Sequence, residues 1–482
     1  SHYYNPYSQR TVYWLTFAGS FDDSPRRIET VNYTVPPIGE TDSSPVAYHF
    51  ENESVRRDQA GFTWFSTLFS NNVSSNYYYN FPVDYLDTSK PQQLTITLQS
   101  QSPAQGGSNV TNSISMSINQ NLVINRQNWS GITYRTFNRN GNFLENGTND
   151  VVITTHPTTT STSIYFDYYR VRYHRFLVKG NEQYLFNIND EDIGLERPVQ
   201  YNLRGDSQGL KAFQVHNFHQ VDQLPITLLP GSSDYDFQIT GSSSEAALYA
   251  LVKENEYLSV SNFREVFPKD LTVQNQPIDV LIITPEQFND YAVQLSEQYM
   301  TRQGLVSRVV EQQDIFNQFN SGMPDPNAIR LFIRYAFYNY PSNNGNTLKH
   351  VTLVGSGTID WRNFSGQANE KNNLIIFQRG SDTSEDFFVD QSGNDLPDLG
   401  IGRIPVENLA QCETVWNKIN NYRFNQTPGL WRNRLFFVAD DEFTTTSTTE
   451  IIHSEQAQSI AQSISPGIYS NKLFGIEYSF DS

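Results

Sequence analysis

The sequence lacks the residues on which several classes of protein depend. Its 482 residues contain one cysteine, Cys412, which rules out a disulfide framework within the chain and a cysteine-rich metal site. Lys and Arg number 33 against 51 Asp and Glu, and the net charge of −18 excludes the basic surface that a nucleic-acid partner requires. No run of about 18 apolar residues occurs, so no membrane-spanning helix is predicted. Any membrane attachment is therefore expected to come through a partner.

Aromatic residues, in contrast, make up 14% of the chain, and many of them fall in short alternating segments. Residues 11–17, 94–98 and 163–169 are examples, and Gly, Asn, Ser and Pro separate such segments about every ten positions. This spacing is typical of antiparallel sandwiches. We therefore predict that residues 1–275 form a β-rich region of one or two β-sandwich domains.

The hydrophobic pattern changes after residue 275. Residues 278–283 have the composition of a buried strand, and apolar residues from Phe288 to Tyr299 then recur at helical spacing until Gly304. The alternation continues, with predicted strands at 305–310, 351–354 and 435–439 and predicted helix starts at Pro326 and Asn408. Such alternation predicts an α/β domain with a parallel, doubly wound sheet for residues 276–482.

Ligands of open α/β sheets bind where the strands end, so the turns after the predicted strands are the first candidates for a site. The Gly-Ser-Gly turn at 355–357 is too short and wrongly spaced for a phosphate-binding loop. Asp440, Asp441 and Glu442 follow another strand directly. They form either a solvated acidic turn or a cluster that a cation such as Ca²⁺ would neutralise. Both interpretations are open, and we assign no cofactor and no metal ligand.

The chain's thiol and histidines do not indicate a catalytic pair. Cys412 lies in the apolar stripe of a predicted helix, with no histidine near it in sequence, so we predict a structural thiol instead of a nucleophile. His216 and His219 have no third ligand type nearby and are interpreted as residues of the β region. Glu450 and His453 are spaced to touch on one helix face, as a surface contact.

Three stretches of the α/β part carry a family resemblance. They are LPDLGIGRIPV at 396–406, FNSGMPDPNAIR at 319–330, and WRNR at 431–434 with FVADDE at 437–442. In these stretches the chain resembles the gingipain-like cysteine peptidases, and specifically the sortases of the type IX secretion system. Residues 5–17 resemble the β domain that precedes the peptidase domain in those sortases. The resemblance implies a caspase-like fold for residues 276–482.

Site residues follow from the resemblance alone. Glu442 aligns with the acid that supports the catalytic histidine, and Glu450 with an acidic substrate-binding position of Arg-cleaving members. Ser356 departs from the acidic residue common in that turn, which weakens the case for a cation there. In the family, the catalytic His lies in a Gly-His-Gly turn after the acidic loop and the catalytic Cys on the next strand, and neither the turn nor a second cysteine occurs up to Ser482. We therefore expect no catalytic residue of the pair in this chain, a peptidase domain incomplete at its C-terminal side, and no activity from these residues alone.

The resemblance also implies a function, a location and partners. It implies a surface cysteine endopeptidase and transpeptidase that removes C-terminal signals from secreted cargo proteins and attaches the cargo to an anionic surface glycolipid. Such a protein is extracellular and associated with the outer membrane through a PorV-like β-barrel partner. No nucleic acid is expected as a partner.

Two other hypotheses stay open. A non-catalytic relative would use the β and α/β domains as a binding scaffold, which the missing catalytic pair and Ser356 favour. A glycosylated adhesive ectodomain would explain the Asn-X-Ser/Thr triplets, although a chain rich in Asn, Ser and Thr produces such triplets by chance. The triplets begin at Asn32, Asn52, Asn72, Asn109, Asn128, Asn146, Asn363 and Asn425.

Overall fold

The structure is a computed structural model that describes most of the chain in sixteen segments. The described residues are 7–8, 10–15, 27–56, 63–71, 73–101, 111–157, 162–180, 183–217, 220–244, 246–259, 264–342, 348–366, 371–379, 382–424, 429–440 and 453–477. Contacts divide the chain into two compact units, residues 1–407 and 408–482. The two units are described in turn.

The first part of the larger unit is built from strands alone among its described residues. These strands are β1 Glu29–Thr30, β2 Gly39–Thr41, β3 Ser43–Glu51, β4 Val55–Arg56, β5 Trp64–Phe65, β6 Thr67–Asn71, β7 Ser75–Val83, β8 Gln92–Ser100, β9 Thr111–Ile118, β10 Asn121–Ser130, β11 Tyr134–Gly141, β12 Gly147–Thr155 and β13 Thr162–Phe176. One antiparallel sheet has the order β11-β8-β13-β3, with β6 also paired to β13, and the other has the order β10-β9-β12-β7. Together they form a β-sandwich.

Alternation explains the core of this sandwich. Along β8 and β12, alternate side chains such as Leu94, Ile96, Val151 and Ile153 are fully buried. Tyr169 of β13 is also fully buried; it stacks on Phe50 of the neighbouring strand β3 and meets Phe81 of the other sheet at a tilt. Burying a ring of this size contributes about 1.5–3 kcal/mol, so the aromatic content noted in the sequence supplies much of the sandwich core.

A second β region follows. Its strands are β14 Val178–Lys179, β15 Tyr184–Asn187, β16 Val199–Gly205, β17 Leu210–Asn217, β18 Gln220–Leu224, β19 Ile226–Leu228, β20 Phe237–Gly241 and β21 Leu248–Lys253. They form two sheets, β1-β18-β17-β21-β15 and β14-β16-β20-β19, the second with β2 added beside β16. At Gly241 an added Cβ would lie 2.4 Å from the ring of Tyr249, so the buried Tyr249 ring requires a glycine there.

A buried ion pair closes this second region. The Lys179 side chain is fully buried, and its Nζ lies 2.8 Å from Oε1 of Glu256. Glu256 also accepts a hydrogen bond from the backbone N–H of Lys253, at 2.9 Å, at the end of β21. Nζ of Lys179 also donates to the carbonyl of Gly180, at 2.8 Å, so the buried ammonium has both a carboxylate and a carbonyl partner. The pair therefore holds β14 against the segment that leaves the β region.

The last part of the larger unit alternates strands and helices. Its elements are β22 Val280–Thr284, α1 Asn289–Gln303, β23 Ser307–Glu311, α2 Gln312–Phe319, α3 Pro326–Asn339, β24 His350–Val354, β25 Gln378–Arg379, β26 Asp382–Thr383, α4 Asp386–Val389 and β27 Gly400–Ile404. Four strands form a parallel sheet with the order β23-β22-β24-β27. The predicted fold class, antiparallel β structure followed by a parallel α/β sheet, is confirmed.

Local sequence signals account for the helix ends. Gly304 adopts φ 68° and ends α1, as predicted. Asp325 accepts a hydrogen bond from the backbone N–H of Asn327 at 2.7 Å, and Pro326 occupies the first turn of α3. A 3-10 turn at Glu286–Phe288 precedes α1. Other 3-10 turns lie at Asp190–Asp192, Glu254–Glu256, Leu430–Asn433 and Gly475–Glu477.

The smaller unit contains α5 Leu409–Phe424, β28 Arg434–Ala439, α6 His453–Gln462 and β29 Tyr469–Phe474. Strands β28 and β29 pair in parallel, and α6 contacts β28. Asn408 accepts a hydrogen bond from the backbone N–H of Gln411 at 3.0 Å, which is the N-terminal cap that the sequence predicted for α5.

The predicted boundary near residue 275, with domains at 1–275 and 276–482, stays a prediction. In the part of the chain that the structure describes, none of the helices combines the length and the apolar character needed to cross a membrane.

Asp167 predicts how the stability of the fold depends on pH. This residue of β13 is buried at a register shift and accepts a hydrogen bond from the hydroxyl of Tyr134. Burial, with the negative charges of Glu51 and Glu53, raises the pKa of Asp167 to about 7. An acid with a raised folded-state pKa binds its proton more tightly when folded, so stability is lost as pH rises from about 4 to about 7.

We predict that Asp167→Asn removes part of that loss, about 2 kcal/mol between pH 4.5 and pH 7.5. The measurement is urea unfolding of both proteins at several pH values. Asp150→Asn, at an exposed carboxylate of β12, is the matched control and should leave the wild-type pH dependence in place. An Asp167→Asn protein with an unchanged pH dependence would contradict the prediction.

Candidate functional site

The order of the parallel strands locates the candidate site. The chain passes from β22 to β23 on one side and then to β24 on the other, so the sheet changes direction between β22 and β24. Ligand sites of open α/β sheets lie outside the carboxyl ends of strands at such a switch point. In this chain those ends are Thr284 of β22 and Val354 of β24, and the residues that follow them form what we call the carboxyl edge.

Asn373 is the central side chain of the carboxyl edge. Its Oδ1 accepts a hydrogen bond from Nε2 of Gln287, which follows β22. Its Nδ2 donates to Oγ of Ser356, at 3.0 Å, and to the carbonyl of Glu407, at 3.2 Å. Its backbone carbonyl accepts from Nε2 of Gln312, at 2.5 Å. One buried amide thus joins the segments that follow all four parallel strands.

Ser356 lies in the Gly-Ser-Gly turn that follows β24. The residue is 7% exposed, and its Oγ donates to the carbonyl of Lys371 at 3.0 Å while accepting from Asn373. Its backbone N–H donates to the carbonyl of Val406, at 2.8 Å, and its carbonyl accepts from Leu374, also at 2.8 Å. The hydroxyl is therefore engaged in ordering the edge.

Arg403 of β27 supports the same turn from the neighbouring strand. Its guanidinium forms a two-pronged contact with the Glu385 carboxylate, with Nε 2.5 Å from Oε1 and Nη2 3.2 Å from Oε2. It also donates to the carbonyls of Gly355, at 2.9 Å, and Ile375, at 3.0 Å. Such forked contacts are specific to arginine. The arginine in the GIGRIP stretch therefore has a structural role, in holding the edge loops together.

The described edge contains amides, a hydroxyl and a guanidinium, but no thiol and no imidazole. His350 lies at the start of β24 and hence at the opposite edge of the sheet. Among the described residues, no group of three or more His, Cys, Asp or Glu side chains is arranged to hold a metal ion. What this edge can do chemically is orient polar groups and exclude water from the switch point; a covalent step needs groups from elsewhere.

Cys412 is buried on α5 in the smaller unit, as predicted. Burial raises the pKa of its thiol, which is the opposite of what a nucleophilic cysteine needs. The neighbours in the predicted stripe, Val415, Trp416 and Ile419, are half-buried. The structure therefore agrees with a structural thiol.

The other predicted residues are distributed as follows. Asp440 is exposed directly after β28, at its carboxyl end. Asp441, Glu442 and Glu450 lie outside the described residues, so the supporting acid and the substrate-binding position stay predictions. His216 lies in β17 with Nε2 3.2 Å from Oδ2 of Asp222, while His219 is outside the described residues.

Comparison with known proteins assigns a class to the C-terminal part of the chain. Residues 273–481 match peptidase family C25, the gingipain family of cysteine peptidases. The resemblance indicated by the three sequence stretches is therefore confirmed for this part of the chain. No curated protein gives a significant match to the sequence.

One solved structure is similar over most of the chain. It is dimeric latent PorU from Porphyromonas gingivalis, with 17% sequence identity and a TM-score of 0.65, covering 85% of this chain. This chain spans 40% of that PorU chain, and at this identity the likeness establishes the fold. A family 35 carbohydrate-binding module from Clostridium thermocellum also aligns, with 16% identity over 27% of this chain and 97% of its own, but with a TM-score of 0.19.

Sequence reasoning missed the side chains that order the edge. Asn373 lies 86 residues from Gln287 and 61 from Gln312, and no local pattern relates isolated amides so far apart. Arg403 lies in the LPDLGIGRIPV stretch that carries the family resemblance. Its charge partner, Glu385, lies in an irregular segment with no sequence pattern of its own. An arginine among the glycines and isoleucines of the GIGRI stretch is the sequence signal that points to such a role.

We predict that Asn373→Ala lowers the free energy of unfolding by about 1–3 kcal/mol, because it removes the hydrogen bonds that this buried amide donates to Ser356 and to the carbonyl of Glu407. Urea denaturation measures the change. Asn394→Ala, at an exposed asparagine in a nearby loop, is the control and should change stability by less than about 0.5 kcal/mol. Equal effects of the two substitutions would count against the central role of Asn373.

Cys412 gives a second prediction for this site. A thiol reagent should modify Cys412 in the folded chain on the order of tenfold or more slowly than in the urea-unfolded chain, because burial disfavours the thiolate. Cys412→Ala should cost on the order of 1 kcal/mol of stability. Labelling of the folded chain as fast as that of the unfolded chain would show that the thiol is accessible and reactive.

Proposed function

We propose that this chain is part of a cell-surface cysteine peptidase and transpeptidase that removes C-terminal signals from secreted cargo and joins the cargo to an anionic surface glycolipid. The single observation that carries the proposal is the match of residues 273–481 to peptidase family C25. The parallel sheet with its switch point between β22 and β24 supports it, since that arrangement provides a site at the strand ends.

The sortase part of the proposal draws on the similarity to PorU. That likeness extends over both the β regions and the α/β part, since it covers 85% of this chain. A relative that shared only the peptidase domain would not match the preceding β regions. By the same analogy the protein is proposed to act at the outer membrane, with secreted cargo and a PorV-like β-barrel protein as partners.

The proposed reaction runs through a covalent acyl-enzyme. A cysteine thiolate attacks the scissile carbonyl, a histidine transfers the proton to the leaving amine, and backbone amides stabilise the oxyanion. A nucleophile on the glycolipid, in place of water, then releases the cargo. In this scheme Glu442 supports the histidine and Glu450 contributes to substrate binding.

A non-catalytic scaffold is the second candidate. The observation that favours it is the state of the described edge, where Ser356 replaces an acidic residue and is hydrogen-bonded on both sides. The one cysteine of the chain is buried with a raised pKa. A protein of this kind would keep the gingipain fold for binding cargo or glycolipid without cleaving either.

We predict that the polypeptide of residues 1–482 alone cleaves no signal-bearing cargo and no Arg- or Lys-containing reporter peptide. Its single thiol is buried, and no histidine lies near it in sequence. The comparison is with the intact protein purified from its source, in which thiol-dependent cleavage of the same cargo is expected. Cleavage by residues 1–482 that Cys412→Ala abolishes would overturn this prediction, and an intact protein without thiol-dependent activity would favour the scaffold.

The intact protein also tests Glu442. Glu442→Gln should lower turnover on the order of tenfold or more if this carboxylate supports the catalytic histidine. Asp440→Asn, two residues earlier in the same acidic turn, is the matched control and should leave turnover near that of the unmodified protein. Equal turnover in both variants would remove Glu442 from the mechanism.

A further inference from the structure

The loop after β24 makes a second set of contacts, with residues of the first β region that lie far from it in sequence. Its described parts are residues 355–366 and 371–373. The two ends of the loop, at Ser356 and Asn373, form the hydrogen bonds of the carboxyl edge described above. The middle, at Arg362 and Phe364, contacts the β-sandwich. The loop is therefore a physical connection between the sandwich and the candidate site.

Asp360 gives the middle of the loop a defined shape. The residue is 5% exposed, and its carboxylate accepts hydrogen bonds from the backbone N–H groups of Phe364, at 2.8 Å, and Ser365, at 2.9 Å. Asn372 Nδ2 donates to the carbonyls of Asp360 and Trp361, both at 2.9 Å, and so ties the turn to the residue next to Asn373.

Arg362 and Phe364 project from this turn onto the sandwich. Nη2 of Arg362 lies 2.6 Å from Oε2 of Glu53, and the two side chains are 9% and 14% exposed. Phe364 meets Trp64 edge to face, with ring centroids 5.1 Å apart, and the Arg362 guanidinium lies 4.2 Å from the Phe364 ring centroid. We call these four side chains the junction.

The sandwich side of the junction is itself rigid. Ser66, which follows Trp64 and Phe65, donates from its backbone N–H to the carbonyl of Phe166 at 2.8 Å and from Oγ to the carbonyl of Asp167 at 2.6 Å. Ser66 Oγ also accepts from the backbone N–H of Asn52 at 2.7 Å. The residues that present Trp64 and Glu53 are thus hydrogen-bonded to the central strand β13.

Burial makes the two charges depend on each other. It raises the pKa of Glu53 to about 7, with the charge of Glu51 adding to the effect, and it lowers the pKa of Arg362 to about 10. Each ion is therefore costly to bury, and the ion pair offsets part of that cost for both. A carboxyl with a raised pKa regains neutrality by taking up a proton, whereas the Arg362 guanidinium stays charged and regains water only if the loop undocks.

We propose that the β-sandwich positions the carboxyl edge through the junction, so that Arg362 is a positioning residue that acts through its loop on Ser356 and Asn373. The consequence for catalysis rests on the proposed peptidase function, because only then is the edge part of an active site. The coupling itself does not depend on that function. The coupling gives the β-sandwich a role in shaping the candidate site, in addition to any contact that the sandwich makes with cargo.

The test is amide hydrogen exchange on the chain of residues 1–482, which needs no enzymatic activity. Arg362→Met should speed exchange in residues 355–366 and 371–375 by about tenfold or more, while β8 and β13 of the sandwich stay within about twofold of wild type. Glu53→Met should do the same. The double variant should show no more exchange than the worse single variant, because both substitutions break the same ion pair.

Arg379→Met is the matched control, since Arg379 forms an ion pair with Asp395 in which both side chains are largely exposed, and it should leave the loop unchanged. If Arg362→Met does not fold, Phe364→Leu removes the contact with Trp64 while keeping the ion pair and should give the same local increase. Unchanged exchange in the loop, or a uniform increase across sandwich and sheet, would overturn the proposal. Either result leaves the proposed peptidase function to its own test.

Discussion

Satisfying buried polar groups at the carboxyl edge is the constraint on which the rest of the α/β part depends. The loops that follow parallel strands bury part of their backbone and side chains. Every buried amide in them costs free energy unless it forms a hydrogen bond. Asn373 and Arg403 meet this requirement for the loops around β22, β24 and β27. The edge is therefore held by side chains, and its shape follows from a few buried amides and one guanidinium.

The same constraint links the sandwich to the site. A loop long enough to reach from β24 to the sandwich must be stabilised at both ends, and Asp360 allows this by folding its middle into a compact turn. The Glu53 and Arg362 pair then secures the far end in a place that excludes water. Because a buried pair tolerates little rearrangement, the β regions and the parallel sheet are joined as one framework at this point.

Electrostatics limits how the proposed partners would be recognised. A chain with a net charge of −18 repels an anionic glycolipid at long range, although salt screens that repulsion beyond about 8 Å. Recognition of the glycolipid would therefore depend on short-range contacts or on a partner protein. The net charge does not oppose recognition of basic segments in cargo, which an acidic surface attracts.

The sequence by itself determined the order of β and α/β structure, because side-chain periodicity is a local property of two or four residues. It also determined the helix ends at Gly304 and Pro326 and the burial of Cys412, which depend on neighbours in the same helix or turn. Only the tertiary structure decided that Asn373 would join Gln287 and Ser356, and that Arg362 would meet Glu53, which lies 309 residues earlier. Those contacts arise when distant segments return to one place, and a buried polar group takes whichever partner the fold brings within about 3 Å.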